Sequence, residues 1–534
     1  MIFDLLKNPL KRLIPIVVFL IGAAGGVLYG VVLALKTGSL LPLGAGLSAG
    51  FAVGGIGFLV AFHSACRATD GSLVDRFTPL IIYIIAAAGL AGGAGSRLLR
   101  PSEDNHFVYM ADSLNHGKLE MLRPPPHGND WARVVEITMR DGRKLRGSPW
   151  RTVGPRAFRT TAGEMLELAP GDVASRHNVW YVSFPPLPAK LMMPGVAIWG
   201  YDFNDVWFTL LIAALNPVLC FFVLESLRRK GLGGRSLKNN LWLTLFFCFG
   251  TVHFYCAVLG QVWYTAQIVA TTLLLGYILA SMDPARPLLA GLMLGLAFIT
   301  RTPMLFAAPF FLLSALHPGK SSAENGPVFW DHFRDVEWKP AFKRILLFGL
   351  PVCLIGIWMA VLNYMRFDNP FEFGHTYLNI RWIDRIQRWG LFNIHYAPRN
   401  LSAAFTLLPH IQARYPYLII SRHGISLLAT TPLLLYTFWP KEKGWLHHPC
   451  WVSIAFMAGL HFFYQNSGFV QFSYRFSLDY TPFLVMLLAL SKRKLGTTAS
   501  ALLVWSLLVH TFGALSFGRW HDFYARGNWL FVID

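Results

Sequence analysis

Apolar residues run along this chain in long blocks, separated by short polar clusters and by two long mixed stretches. About 13 blocks approach the roughly 20 residues that cross bilayer hydrocarbon as a helix. They cover 13–35, 40–62, 78–97, 205–227, 240–259, 263–281, 286–300, 303–316, 345–365, 425–439, 450–465, 480–490 and 496–516. Lipid offers the backbone no hydrogen-bond partners, so each block is predicted to be helical. The two blocks within 286–316 are short. Their join at Arg301-Thr302-Pro303 reads as a boundary between two spans, as a kink, or as a re-entrant turn. The fold class that follows is an all-α polytopic membrane protein.

Composition agrees with this pattern. Of 534 residues, 54% are hydrophobic and only 14% charged, against roughly 25% charged in soluble domains. The net charge of +19, from 47 Lys and Arg against 28 Asp and Glu, would point to nucleic acid in a soluble protein. Here it is better read as basic loops that orient a membrane protein. With the N-terminus in the cytoplasm, Lys7, Lys11 and Arg12 fall inside, as do Arg228, Arg229, Lys230 and Arg235, then Lys441 and Lys443, then Lys492, Arg493 and Lys494. The short outside loops hold only Lys36, Arg301 and Arg475. The block 13–35 follows a basic start and leads directly into a second block, which fits a retained span better than a cleaved signal. The six cysteines are scattered with no metal-ligand spacing, so no disulfide framework and no metal site are expected.

In this orientation the two long stretches, 98–204 and 366–424, lie outside. They divide the chain into helices in 1–97, an outer loop at 98–204, central helices in 205–365, a second outer loop at 366–424, helices in 425–516 and an outer tail at 517–534. Loops this long usually carry structure or function. Alternation at Val134–Met139, followed by Asp141-Gly142, predicts a strand and a turn, hence a small β-containing insertion at about 131–180. Tyr109–Leu119 reads as an amphipathic helix stopped at Gly117. Trp382–Trp389 reads as a helix lying at the interface.

The polar clusters with chemical potential lie beside these outer segments. Glu103 and Asp104 leave the membrane directly after the third block, where a carboxylate can act as general base on a hydroxyl. A solvated helix end is the bland alternative. Ser183–Lys190 carries three prolines and reads as a rigid re-entry, with Lys190 placed to meet an anion. In Tyr474–Tyr480, Arg475 and Asp479 are four apart and share a face if the segment is α-helical. Intramembrane charges are functional candidates by default, and the Arg fork suits phosphate. Arg301 is the second candidate cation. His106, beside the acidic pair, and His253 and Gln261, near the fifth and sixth blocks, are candidate substrate-binding groups. Buried polar residues in helices, however, more often bond a neighbouring helix. No Walker A loop, strand-linked GxGxxG, HExxH or GxSxG motif is present.

The acidic pair followed by an aromatic residue and the Ala111-to-Gly117 helix resembles the integral-membrane glycosyltransferases of the GT-C fold. The nearest likeness is to the bacterial family-39 type, related to protein O-mannosyltransferases and lipid A aminoarabinose transferases. Phe184–Ala189, Gly295–Arg301 and Asn363–Gly374 extend the resemblance over about 78–490. The resemblance implies a polyprenyl-phosphate-linked or diphosphate-linked sugar as donor. It also implies inverting transfer to a glycan, lipid or protein acceptor at the outer face of the cytoplasmic membrane, with no further cofactor. By position it assigns the general base to Asp104, with Glu103 as the alternative, and the departing phosphate to Arg475 and then Arg301. A multi-span transporter or lipid flippase is the competing function. It predicts inverted repeats and polar residues near the membrane midplane, whereas these lie at one interface.

Overall fold

The computed structural model describes residues 73–282, 284, 286–317 and 328–525. The expected spans 13–35 and 40–62, and residues 526–534 of the tail, lie outside the described residues. The first described helix, α1, covers Leu73–Ala94 and tightens into a 3-10 turn at Gly95–Leu99. A short helix, α2, covers His106–Asn115, and five strands follow: β1 Trp131–Met139, β2 Lys144–Pro149, β3 Ala157–Thr160, β4 Met165–Glu167 and β5 Val173–Val182. The main helices after the strands are α3 Leu187–Trp199, α4 Asp205–Arg229, α5 Leu237–Phe249, α6 Val262–Ser281, α7 Pro287–Phe298 and α8 Ala308–Leu316. Beyond them come α9 Trp338–Phe367, α10 Ile383–Trp389, α11 His447–Phe462, α12 Thr481–Leu490 and α13 Thr497–Ser516.

Among the described residues, five helices are long and apolar enough to cross a bilayer: Phe77–Leu99, Asp205–Arg229, Val262–Ser281, Trp338–Phe367 and Thr497–Ser516. Their burial sorts them. The apolar window of α6 is 72% buried and that of α4 is 61% buried, so these two form the centre. Only 11% of the window of α9 is buried, which leaves its apolar side chains for lipid. Other expected spans are broken. The block 240–259 is helical only to Phe249, because Gly250 caps α5 and a separate turn, His253–Ala257, follows. The block 425–439 splits at Pro432 into a short helix and a 3-10 segment. In 286–316, α7 has 12 residues. At 1.5 Å per residue, such a helix reaches about 18 Å, well short of the roughly 30 Å of hydrocarbon. Arg301 is extended, and Thr302–Ala307 is a 3-10 turn before α8.

The basic loops converge at one end of the bundle. There Lys230 Nζ donates to the Met282 carbonyl (3.0 Å), Arg235 donates to the carbonyls of Leu488 and Arg493, and Lys492 pairs with Glu442 at 2.5 Å. The two long inserted segments converge at the other end. The predicted sheet is present, with order β4-β3-β2-β1-β5 and all pairings antiparallel. Gly142, at φ +86°, makes the turn between β1 and β2. Arg146 on β2 reaches Asp368 (2.9 Å) and the Arg366 carbonyl (3.1 Å), tying the sheet to the end of α9. Arg366 in turn donates to the Val182 carbonyl (3.1 Å) and to Asn363 (2.7 Å). The Asn363–Gly374 stretch is thus a joint between the long helix and the sheet. The amphipathic α2 ends as expected, with Gly117 at φ +68° and Lys118 N–H returning to the Ser113 carbonyl (2.9 Å). It packs on α3, a helix that the sequence pattern had left inside the first loop. The five described cysteines are free, and four of them are buried.

Candidate functional site

The end of α1, the starts of α4 and α6, the C-terminal end of α13 and both inserted segments enclose a cavity of about 980 Å³. Its acidic wall holds Glu103, Asp104 and Asp130. Seven arginines also line it. Arg97 and Arg100 follow α1; Arg381, Arg385, Arg399 and Arg422 come from the second inserted segment; Arg475 comes from the turn before α12.

The acidic wall is braced from below. Asp205, at the start of α4, accepts the Ser102 N–H (2.8 Å) and the Ser102 hydroxyl (2.5 Å). Asn204 caps α4 through Val206 N–H and Trp207 N–H, and its amide donates to the Leu98 carbonyl (3.0 Å). The segment 98–104 is thereby fixed to the head of a central helix. The Asp104 carbonyl then accepts Val262 N–H (3.0 Å), and its carboxylate accepts Gln261 Nε2–H at 2.5 Å. His127 Nε2 lies 3.4 Å from the other oxygen. His127 Nδ1 accepts Asn129 N–H (3.3 Å), and Nε2 is 3.1 Å from the Glu103 carbonyl. With Nδ1 accepting, Nε2 is the nitrogen that donates, to the Glu103 carbonyl, and it stands beside Asp104. Asp104 is held by the Gln261 hydrogen bond on one oxygen, with His127 beside the other, whereas the Glu103 side chain is exposed.

Burial raises the Asp104 pKa above the ordinary carboxylate range, with His127 and Gln261 opposing the shift. Asp130 is pushed up to about 6, again by burial, against the pull of the Trp263 hydrogen bond and the Arg475 charge. Trp263 Nε1–H donates to Asp130 Oδ2 at 2.8 Å. Asp130 has φ +58°, a left-handed conformation that Asp tolerates better than most residues.

The sequence-derived candidates separate in this geometry. Asp104, Glu103, Gln261 and Arg475 meet in the cavity. His106 lies beneath it, fully buried and stacked on Trp131 at 3.7 Å, its Nε2 bonded to the Asn129 carbonyl (3.2 Å). Burial pulls its pKa down to about 3, so the ring is a neutral packing element. His253 bonds the Cys248 carbonyl (3.1 Å) and Asn216 (3.3 Å) between helices, away from the cavity. Lys190 is exposed, with Nζ 5.1 Å above the ring of Trp358. Arg301 and Asp479 form a bidentate pair at 3.0 and 2.7 Å, with His461 Nε2 2.9 Å from the same carboxylate. Neither lines the cavity. The expected shared face of Arg475 and Asp479 fails because Arg475–Asp479 is a 3-10 turn. At three residues per turn, positions four apart point about 120° apart rather than side by side. Arg475 turns into the cavity, and Asp479 turns towards Arg301.

Asp130, His127 and the arginines of the second segment escaped the sequence reading. One available signal was an acid and a histidine flanking Gly128-Asn129, just before the predicted strand. Gly260, with φ +74°, sets the approach of Gln261 to Asp104. A Cβ there would meet Val206 Cγ2 at 2.6 Å and Val206 Cα at 2.7 Å. Gly260→Ala is expected to lower stability by about 2 kcal/mol or more, read as a lower melting temperature in detergent.

No family model and no curated protein matches this chain. Among solved structures, the apo crystal structure of the Archaeoglobus fulgidus oligosaccharyltransferase aligns with 86% of this chain at 13% identity and a TM-score of 0.43. The archaeal oligosaccharyltransferase AglB from the same organism, in complex with an inhibitory peptide and a dolichol-phosphate, aligns with 85% at 10% identity and a TM-score of 0.42. The chain spans 57% of the length of each. At these scores the likeness carries no argument about activity, and the site is read from its own residues.

Proposed function

We propose that this protein is an inverting membrane glycosyltransferase of GT-C type that moves a sugar from a polyprenyl-phosphate-linked donor to an acceptor hydroxyl. The supporting observation is a single cavity at the end of apolar helices with a braced carboxylate on one wall and arginines on the others. A polyprenyl chain stays in lipid, so its head group is delivered at this level. In the proposed step, the acceptor oxygen bonds to the anomeric carbon and passes its proton to Asp104. The bond from that carbon to the phosphate oxygen breaks, and its electron pair leaves on the phosphate. Arg475 stabilises the growing negative charge in a low-dielectric site. No metal ion is assigned a part in this step. The reading keeps the basic end in the cytoplasm, and the cavity and C-terminal tail on the outer face of the cytoplasmic membrane. A cavity at one end of the bundle, rather than at its midplane, supports transfer over transport.

The deciding experiment is transfer of labelled sugar by the purified protein in liposomes supplied in turn with a polyprenyl-phosphate sugar and a polyprenyl-diphosphate sugar. Lipid flipping without transfer overturns the proposal. The pH profile adds a sharper check. The base acts only when deprotonated, and burial raises the Asp104 pKa, so kcat/KM is expected to fall on acidification at a higher pH than an ordinary carboxylate would dictate. Gln261 stabilises the charged form, so Gln261→Leu is expected to move that acid limb to still higher pH.

A further inference from the structure

Arg475 and Arg422 come from different segments, yet both lean on one loop, 465–471. Arg475 is buried and spends its Nε–H on the Gly468 carbonyl (2.9 Å), while its guanidinium carbon lies 5.3 Å from the ring centre of Tyr264. The Arg422 guanidinium carbon sits 4.6 Å over the ring of Phe469. Behind them, buried Arg399 donates Nη2–H to the Gln465 carbonyl at 2.6 Å. Gln471, fully buried, ties the frame together. Its Nε2 donates to the carbonyls of His423 and Ser467 (2.8 Å each), and its Oε1 accepts the Arg475 N–H (2.9 Å). The guanidiniums are therefore positioned before any ligand arrives.

Among the described residues, no ion pair joins Arg422 or Arg475 to a carboxylate. Burying the Arg475 cation with no carboxylate bonded to it is costly, and a ligand anion offsets that cost. A phosphodiester carries one charge, which a single arginine fork satisfies in bidentate fashion. Two forks fixed to one loop of seven residues suit two adjacent phosphoryl groups. We infer that the donor is a polyprenyl diphosphate glycoside, with the sugar-bearing phosphoryl on Arg475 and the second on Arg422, Arg399 standing behind. Arg475 takes the sugar side because it stands against Tyr264, next in sequence to Trp263, which holds Asp130 of the acidic wall. This inference rests on the glycosyltransferase reading and narrows its donor class.

The test is competition between farnesyl diphosphate and farnesyl phosphate for the purified full-length protein in detergent. Farnesyl diphosphate is expected to bind at least about tenfold more tightly. Arg422→Gln is expected to bring the two affinities within about threefold of each other, mainly by weakening the diphosphate. Equal affinities in the unaltered protein, or an Arg422→Gln variant that weakens both ligands alike, overturn the inference. The comparison in the unaltered protein decides the matter even if the variant misfolds. Equal affinities with sugar transfer from a monophosphate donor leave the glycosyltransferase reading standing. Failure of both lipids to bind overturns the two together.

Discussion

Asp104→Asn is expected to cut sugar transfer by roughly 10²–10⁴-fold while the protein inserts and melts as before. The substitution removes the proton acceptor and keeps the shape. Gln261 loses little, since the new amide can still turn its oxygen towards Nε2–H, which now bonds Asp104 at 2.5 Å. The backbone brace through Val262 N–H is untouched. Glu103→Gln is expected to be far milder, because that side chain is exposed and its brace to His127 runs through the backbone carbonyl. Rates of transfer from a lipid-linked donor, with melting temperature measured alongside, separate chemistry from folding. Full activity in both variants would remove the base from positions 103 and 104.

The largest effect on stability is expected at Asp479. Its side chain is fully buried, paired with Arg301 through two hydrogen bonds and faced by a buried His461. Asp479→Ala leaves the largely buried Arg301 charge without its carboxylate partner. Loss of one partner of a buried pair typically costs about 3–5 kcal/mol. The double variant Asp479→Leu with Arg301→Met removes both charges and is expected to recover much of that loss. Thermal unfolding in one detergent measures all three proteins. If Asp479→Ala melts like the unaltered protein but loses transfer, then Asp479 serves the substrate rather than the fold.

The comparison of Asp104 with Asp130 shows where sequence reasoning stops. Asp104 stands at the end of an apolar block, and a polar group at a membrane exit is conspicuous along the chain. Asp130 follows a run of prolines and reads as part of a connector. It joins the site because β1 folds back over α2, stacking Trp131 on His106 and delivering Asp130 to Trp263. No local pattern encodes that return. Of the arginines at 381, 385 and 399, only Arg385 falls in the Trp382–Trp389 stretch read as an interfacial helix, and their common target is formed by loops far apart in the chain.

The chain's own periodicity determined that this is a helical membrane protein with a small sheet in its first long insertion. Hydrocarbon thickness and backbone hydrogen bonding leave apolar runs little choice, and strand alternation needs only neighbouring residues. The same reasoning placed α2, its stop at Gly117 and α10. Tertiary structure decided where the helices break and which charges meet. It cut α5 at Gly250, made 475–479 a 3-10 turn, joined Asp479 to Arg301, and left Arg475 to face Asp104 and Asp130 across one cavity. Those outcomes depend on desolvation and on partners hundreds of residues away, which a run of neighbours along the chain does not specify.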